Sequence, residues 1–280
     1  MTSAGTPAEL ALERASSQLT AVGLDELVAR GALQTRTDRK YFVPAAVFEQ
    51  VAAELAPDHQ VLDIDGQRLF AYLTAYFDTA ELLTYRAHLQ RRRKRYKIRT
   101  RTYLDSSDCM LELKLAGRRA GVIKLRRPHP SADRARLSAE DHSYLAHLLG
   151  EEYDVSLPGR LEVVLTTSYR RATYASRAEL TRLTCDVGLL CQGGDSGDQR
   201  LRARDDYVLV ETKSPGPGSR ADRVLRLHGV RPATISKYCL GVAALHPELP
   251  SNPWHPTLRR YFDWSPDVWV VGADSPAQAP

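Results

Sequence analysis

The sequence is poor in cysteine. Only Cys109, Cys185, Cys191 and Cys239 occur in 280 residues, and none stands in a CxxC pair. Reduced thiols are therefore the expectation, without a disulfide framework. None of the eight histidines sits in an HxxxH or HExxH spacing, which removes the usual signature of a histidine- or thiolate-bound zinc. No apolar run approaches the length of a membrane-spanning helix. The opening residues MTSAGTPAEL have neither the basic nor the apolar region of a signal peptide, so a cytoplasmic location is expected. Charge of one sign is also scarce: 39 Lys+Arg stand against 34 Asp+Glu, a formal net charge of +5. So mild an excess identifies no partner, and the positions of the cations have to carry the information.

What is present is an ordinary globular composition with a strand-rich middle. Hydrophobic residues make up 43%, enough for a sizeable core. Residues 8–30 read as one or two helices, followed by a strand over Gln34–Val43. Pro44 suits the first position of a helix running to Leu55. The turn Asp65-Gly66 between 60–65 and 67–77 signals a hairpin, and a helix is predicted over Thr79–Gln90. Strands are predicted at Tyr96–Leu104, Cys109–Leu115, Gly121–Arg127, Leu161–Tyr174, Glu179–Val187, Leu189–Gln192 and Tyr207–Lys213. A helix over Ser138–Leu149 has Ser138 as its cap and Asp141 three residues on. Further helices follow at Arg220–Leu227 and after Ser236. Many antiparallel strands with few helices give an α+β fold, the sheet able to close into a barrel.

The strands place their charges in one pattern. Side chains at i and i+2 share a face of a strand. Arg36, Asp38 and Lys40 share one; so do Lys97, Arg99 and Arg101; Glu112 and Lys114; Lys124 and Arg126; Glu211 and Lys213. The alternate positions are mostly apolar or small, such as Leu111, Leu113 and Leu115. On a single strand this is the ordinary solvent face. Repeated on five strands it fits a barrel with its apolar face outward under helices and its charged face inward. Such a lumen crowds like charges whose desolvation costs several kcal/mol each. A chain of phosphates is the natural complement, because arginine offers paired donors and lysine a point charge to phosphate oxygens. Glutamates in that lumen would repel phosphate unless a divalent cation, Mg²⁺ or Mn²⁺, bridges them.

Seven segments now carry a resemblance. In order they are Asp38-Arg-Lys-Tyr-Phe-Val43, Tyr76-Phe-Asp-Thr79, Lys97-Ile-Arg-Thr-Arg-Thr-Tyr103, Leu111-Glu-Leu-Lys114, Tyr169-Arg-Arg171, Val210-Glu-Thr-Lys213 and Ser236-Lys-Tyr238. Together they resemble the catalytic domain of the vacuolar transporter chaperone (VTC) family, within the CYTH-like triphosphate tunnel metalloenzyme superfamily. The resemblance runs over about 34–246. It implies an antiparallel barrel forming a basic tunnel with flanking helices, and a polyphosphate polymerase that moves the γ-phosphate of ATP onto a growing chain. By the same resemblance Lys40, Arg99, Arg101, Lys114, Arg171, Arg182 and Lys237 line the tunnel as catalytic cations, and Glu211 binds Mn²⁺ or Mg²⁺. Strand parity adds Lys124, Arg126 and Lys213 as substrate-binding residues and Glu112 as a second metal candidate. By the same resemblance His88, a further substrate-binding candidate, stands where eukaryotic members carry an arginine. The first tunnel strand reads Arg36-x-Asp38-x-Lys40 in place of the ExExK of triphosphate tunnel hydrolases, which weakens a hydrolase reading.

The expected organisation is a helical extension over 1–33, a tunnel domain over 34–247 and a wrapping tail over 248–280. The chain as given leaves no room for a phosphate-sensing SPX domain or for membrane helices, so coupling to transport would need an unidentified membrane partner. A metal-dependent triphosphatase of tripolyphosphate or nucleoside triphosphates, and a non-catalytic polyphosphate or nucleotide binder, remain alternatives on the same fold. The run Arg91-Arg-Arg-Lys-Arg95 reads as a solvated loop or a funnel at the tunnel mouth, without the motifs of a nucleic-acid binder. Asp186 is a candidate partner for a tunnel arginine, in a structural or a catalytic role.

Overall fold

A computed structural model of the chain describes residues 5–30, 37–117, 122–194 and 199–265. Arg36, most of the turn before Val122, part of the loop after Gly194 and the tail beyond Ser265 lie outside the described residues. The elements are α1 (Pro7–Gln18), β1 (Thr20–Val22), α2 (Leu24–Arg30), β2 (Thr37–Pro44), α3 (Ala45–Leu55), β3 (His59–Leu62), β4 (Phe70–Asp78), α4 (Leu83–Leu89), β5 (Tyr96–Tyr103), β6 (Asp108–Ala116), β7 (Val122–Pro128), α5 (Ala139–Tyr153), β8 (Glu162–Ser176), β9 (Arg182–Gly193), β10 (Arg200–Arg202), β11 (Tyr207–Ser214), α6 (Arg220–Leu227), α7 (Lys237–Leu245) and α8 (His255–Tyr261).

Local chemistry sets several boundaries. Capping boxes start α1 (Thr6 with Glu9), α5 (Ser138 with Asp141) and α6 (Ser219 with Asp222). Pro44 stands one position earlier than the sequence suggests: it is the N-cap of α3, in an extended conformation that ends β2. Helix α4 begins at Leu83, later than expected, because Thr79–Leu82 form a separate turn, with Leu82 in the left-handed region.

The strands form one sheet in the order β2-β11-β9-β8-β4-β5-β6-β7, with β3 and β10 attached beside β8 and β9. Among the described residues every strand pairing is antiparallel except β1 with β3. The predicted hairpin over 60–77 is corrected. Asp65 and Gly66 do turn the chain, both with positive φ, but β3 leaves to pair with β8 and β1 while β4 pairs with β8 and β5. The two strands expected over 179–192 are one strand, β9. Its Gly188 takes φ +64, close to where the register with β8 slips, so glycine here bends the strand without ending it.

Apolar residues on the outer face meet the helices. Tyr41, Val43, Tyr174, Cys185 and Val210 pack with Leu12, Phe48 and Leu225 of α1, α3 and α6. Ile98, Leu111, Leu113 and Leu115 pack under Leu145 and Leu149 of α5. Helix α7 lies on the opposite, charged face. It approaches β8 so closely that a Cβ on Gly241 would stand 2.6 Å from Leu165. The sheet curls until Lys40 of β2 and Lys124 of β7, at opposite ends of the strand order, border one cavity. Among the described residues no ladder joins β7 to β2. The tunnel therefore comes from curvature, and this seam carries no strand-to-strand hydrogen bonds.

Candidate functional site

The cavity, of about 170 Å³, is enclosed by inward-facing residues of β2, β4, β5, β6, β7, β8 and β11 and by the start of α7. Its charges follow from the register. Lys97 stands directly opposite Lys114, and Lys114 directly opposite Lys124, so three lysines form one row across β5, β6 and β7. Like charges placed directly opposite destabilise a sheet. One row further, Arg99 and Arg126 flank Glu112. Glu112 is fully buried; Arg99 holds its Oε2 at 2.6 Å and Lys124 its Oε1 at 2.5 Å. Across the cavity Glu211 lies 3.4 Å from Lys40 and 3.3 Å from Lys213.

A second cluster joins β8, β9 and α7. Arg171 donates both arms of its guanidinium to Asp186, at 2.5 and 2.8 Å, and Lys237 donates to the same carboxylate. Buried tyrosines pack against this cluster. Tyr72 and Tyr169 stack at 5.3 Å, Arg171 lies over both rings, and Lys237 sits 4.2 Å from the centre of Tyr169. The sequence reading missed these tyrosines, although Tyr169 is two residues from Arg171 and therefore on its face. Lys97, noted in the strand pattern but not put forward as a site residue, donates to Ser236, the N-cap of α7.

The family model of the VTC domain matches residues 35–246. The chain belongs to the VTC domain family. No curated protein matches its sequence. Among solved structures, a putative adenylate cyclase from Vibrio parahaemolyticus is similar at 13% identity and a TM-score of 0.41, covering 72% of this chain and 95% of that one. A putative adenylyl cyclase from Hippeastrum, described as having a dominant triphosphatase activity, is similar at 15% and 0.46, covering 75% and 96%. A putative adenylate cyclase from Bacillus halodurans gives 14% and 0.40, covering 72% and 94%.

In this VTC domain Lys40, Arg99, Arg101, Lys114, Lys124, Arg171, Glu211, Lys213 and Lys237 border the one lumen. Glu112 does not border it, being fully buried against Arg99 and Lys124 on the same face of β6 as Lys114. Arg182 does not border it: it faces inward at the end of β9 and donates to the carbonyl of Leu27 in α2. Arg126 is exposed near the free edge of β7. His88, expected among the substrate-binding residues, does not border the lumen: it lies in an adjoining cavity, its Nδ1 2.9 Å from the carbonyl of Thr84.

The electrostatics are those of a cation-rich enclosure. Burial, with Lys40, Arg99 and Lys97 nearby and only Glu211 opposing, pulls Lys114 down to about 7. Burial likewise lowers Lys213 to about 8, despite Glu211. Burial and Lys97 lower His88 to about 3, so it is neutral. Burial would raise Asp186, but Arg171 and Lys237 outweigh it and hold the carboxyl at about 2. Glu211 is also held well below the usual carboxylate range: Lys213, Lys40 and Lys114 overcome its burial.

Among the described residues no group of three metal-binding side chains occurs. The donor chemistry nonetheless fits one role for Mg²⁺ or Mn²⁺. Such an ion is commonly held by one or two carboxylates together with substrate phosphates, and Glu211 is a cavity-facing carboxylate whose lysine contacts are longer than 3 Å. Glu112, gripped from both sides by Arg99 and Lys124, is a clamp for those cations and is less suited to a metal. Among the described residues no helix is long and apolar enough to cross a membrane.

Proposed function

We propose that this VTC domain is a polyphosphate polymerase: it binds the triphosphate of ATP in the lumen and transfers the γ-phosphate to the end of a polyphosphate chain. The observation that carries the reading is the row Lys97–Lys114–Lys124, three directly opposed lysines whose mutual repulsion a polyanion bound in the lumen would relieve. Membership of the VTC domain family supports a phosphate-handling function for the same surface.

Catalysis here is positioning and charge neutralisation. Lys40, Arg99, Arg101, Lys114, Arg171 and Lys237 bind and orient the phosphates, with Lys124 and Lys213 adding charge at the sides. Arg182 acts at the end of the lumen beside α2, Arg126 at the outer edge of β7, and His88 as a neutral hydrogen-bonding group outside the mouth. Glu211 would hold Mg²⁺ or Mn²⁺ together with phosphate oxygens; when bound, the ion neutralises phosphate charge. An oxygen of the acceptor phosphate forms a bond to the γ-phosphorus as the bond to the β,γ-bridging oxygen breaks, and ADP leaves. The acceptor is already an anion, so no general base is required.

The test is incubation with ATP, Mn²⁺ and a short polyphosphate primer, followed by gel electrophoresis. A ladder of lengthening polyphosphate is expected. Orthophosphate alone would replace the polymerase with a triphosphatase, and binding without turnover would leave a sensor.

A further inference from the structure

A second cavity, of about 890 Å³, opens beside the lumen and shares Lys97, Lys114 and Val122 with it, so the two spaces meet. One wall is basic, formed by Arg93, Lys94 and Arg95 from the loop between α4 and β5. The other is acidic, formed by Glu151, Glu152 and Asp154 at the end of α5.

The two walls do not neutralise each other. Lys94 donates to the backbone carbonyl of Asp154 at 3.4 Å, and Arg95 to the carbonyl of Arg92 at 2.8 Å. Among the described residues no ion pair joins Arg93, Lys94 or Arg95 to Glu151, Glu152 or Asp154, although they border one cavity. Lys94 and Arg95 are held by neutral oxygens, so the carboxylates of the other wall do not offset these cations beside a positive lumen. Like charges concentrated in this way lower stability, and an anion lying along the loop would relieve the repulsion. The acidic wall would repel that anion and hold it to the basic side. The loop carries no exposed aromatic ring: Tyr96, which follows it, is buried. A base-stacking platform for single-stranded nucleic acid is therefore missing. The lumen, at about 170 Å³, holds only a short stretch of phosphates, so the rest of a long chain lies outside it.

We propose that the Arg93–Lys94–Arg95 wall is a docking track for inorganic polyphosphate longer than the lumen, and that it makes the protein prefer long chains over short ones. This rests on the reading of the lumen as a phosphate site.

The test compares tripolyphosphate with long-chain polyphosphate in binding to three proteins: the wild type, the triple variant Arg93→Ala/Lys94→Ala/Arg95→Ala, and Lys114→Ala. The triple variant is expected to bind tripolyphosphate as the wild type does. Its affinity for the long chain should fall about tenfold or more at low salt, with a shallower salt dependence. Lys114→Ala should weaken both ligands. Near-wild-type affinity of the triple variant for the long chain overturns the track and leaves the lumen reading standing. Equal loss of both ligands overturns it too, because the wall then has no preference for length. A wild type that binds neither ligand sinks the lumen reading and the track with it. Single-stranded RNA bound as tightly as long polyphosphate, and lost to the same degree in the triple variant, overturns the assignment to polyphosphate.

Discussion

The phenol of Tyr238 donates to the carboxylate of Asp78, 160 positions earlier in the chain. Asp78 is fully buried. It also accepts the backbone N–H groups of Thr79, Thr84 and Tyr85 and the hydroxyl of Thr84. One carboxylate thus fixes the start of α4 and the start of α7, and α7 carries Lys237 into the lumen. In the segments Tyr76-Phe-Asp-Thr79 and Ser236-Lys-Tyr238, these two residues link the halves of the fold.

Tyr238→Phe removes this hydrogen bond with almost no change of shape. It leaves a buried charge short of one donor, at a cost of about 1–3 kcal/mol. Denaturant titration is expected to show a loss of that size. Because Lys237 is the next residue, affinity for tripolyphosphate should fall as well. An unchanged midpoint with unchanged affinity would remove the latch.

Asp186→Asn takes the carboxylate from Arg171 and Lys237. Breaking a buried pair by removing one partner costs about 3–5 kcal/mol. The expected signature is a lowered melting temperature that tripolyphosphate restores, with a larger ligand-induced rise than in the wild type, since a phosphate can take the place of the lost carboxylate. An equal rise in both proteins would place the ligand away from this cluster.

The lysines make binding proton-linked. In the empty lumen Lys114 titrates at about 7 and Lys213 at about 8, chiefly through burial. A bound polyanion raises both, so binding at about pH 8 takes up protons. Calorimetry in buffers of different ionisation enthalpy should show that uptake, and proton release would contradict it. Unfolded lysines titrate at about 10.4, so between about pH 7 and 10 the unfolded chain binds more of these protons. Their penalty on the empty protein is complete below about 7 and fades as the pH rises.

How much of this was legible depends on periodicity. The inward cations Lys40, Lys97, Arg99, Lys114 and Lys124 followed from a period of two, which the backbone enforces whatever the partner strands. The end of the lumen did not. Arg182 has the right parity, but its contact with Leu27 depends on where α2 settles, and nothing local sets that. The lysine row needed the cross-strand register, which strand patterns leave open. Asp186 was visible as a candidate partner, while its two cationic partners, Arg171 and Lys237, met only in three dimensions. The hairpin at Asp65-Gly66 misled because turn chemistry fixes a turn and leaves the pairing of the strands beyond it undetermined.

Glu211→Gln separates metal binding from phosphate binding. Without metal, tripolyphosphate should bind at least as tightly as in the wild type, since a negative charge between Lys40 and Lys213 is gone. With ATP, turnover should drop at least about tenfold and lose its response to Mn²⁺. Metal-stimulated turnover at the wild-type level would remove Glu211 from the metal site.

The most direct measurement is a crystal structure with a non-hydrolysable ATP analogue and Mn²⁺. The triphosphate is expected inside the lumen, with its oxygens about 3 Å from the side chains of Arg99, Lys114 and Arg171. An analogue bound only on the outer surface, with the lumen free of phosphate, would contradict it.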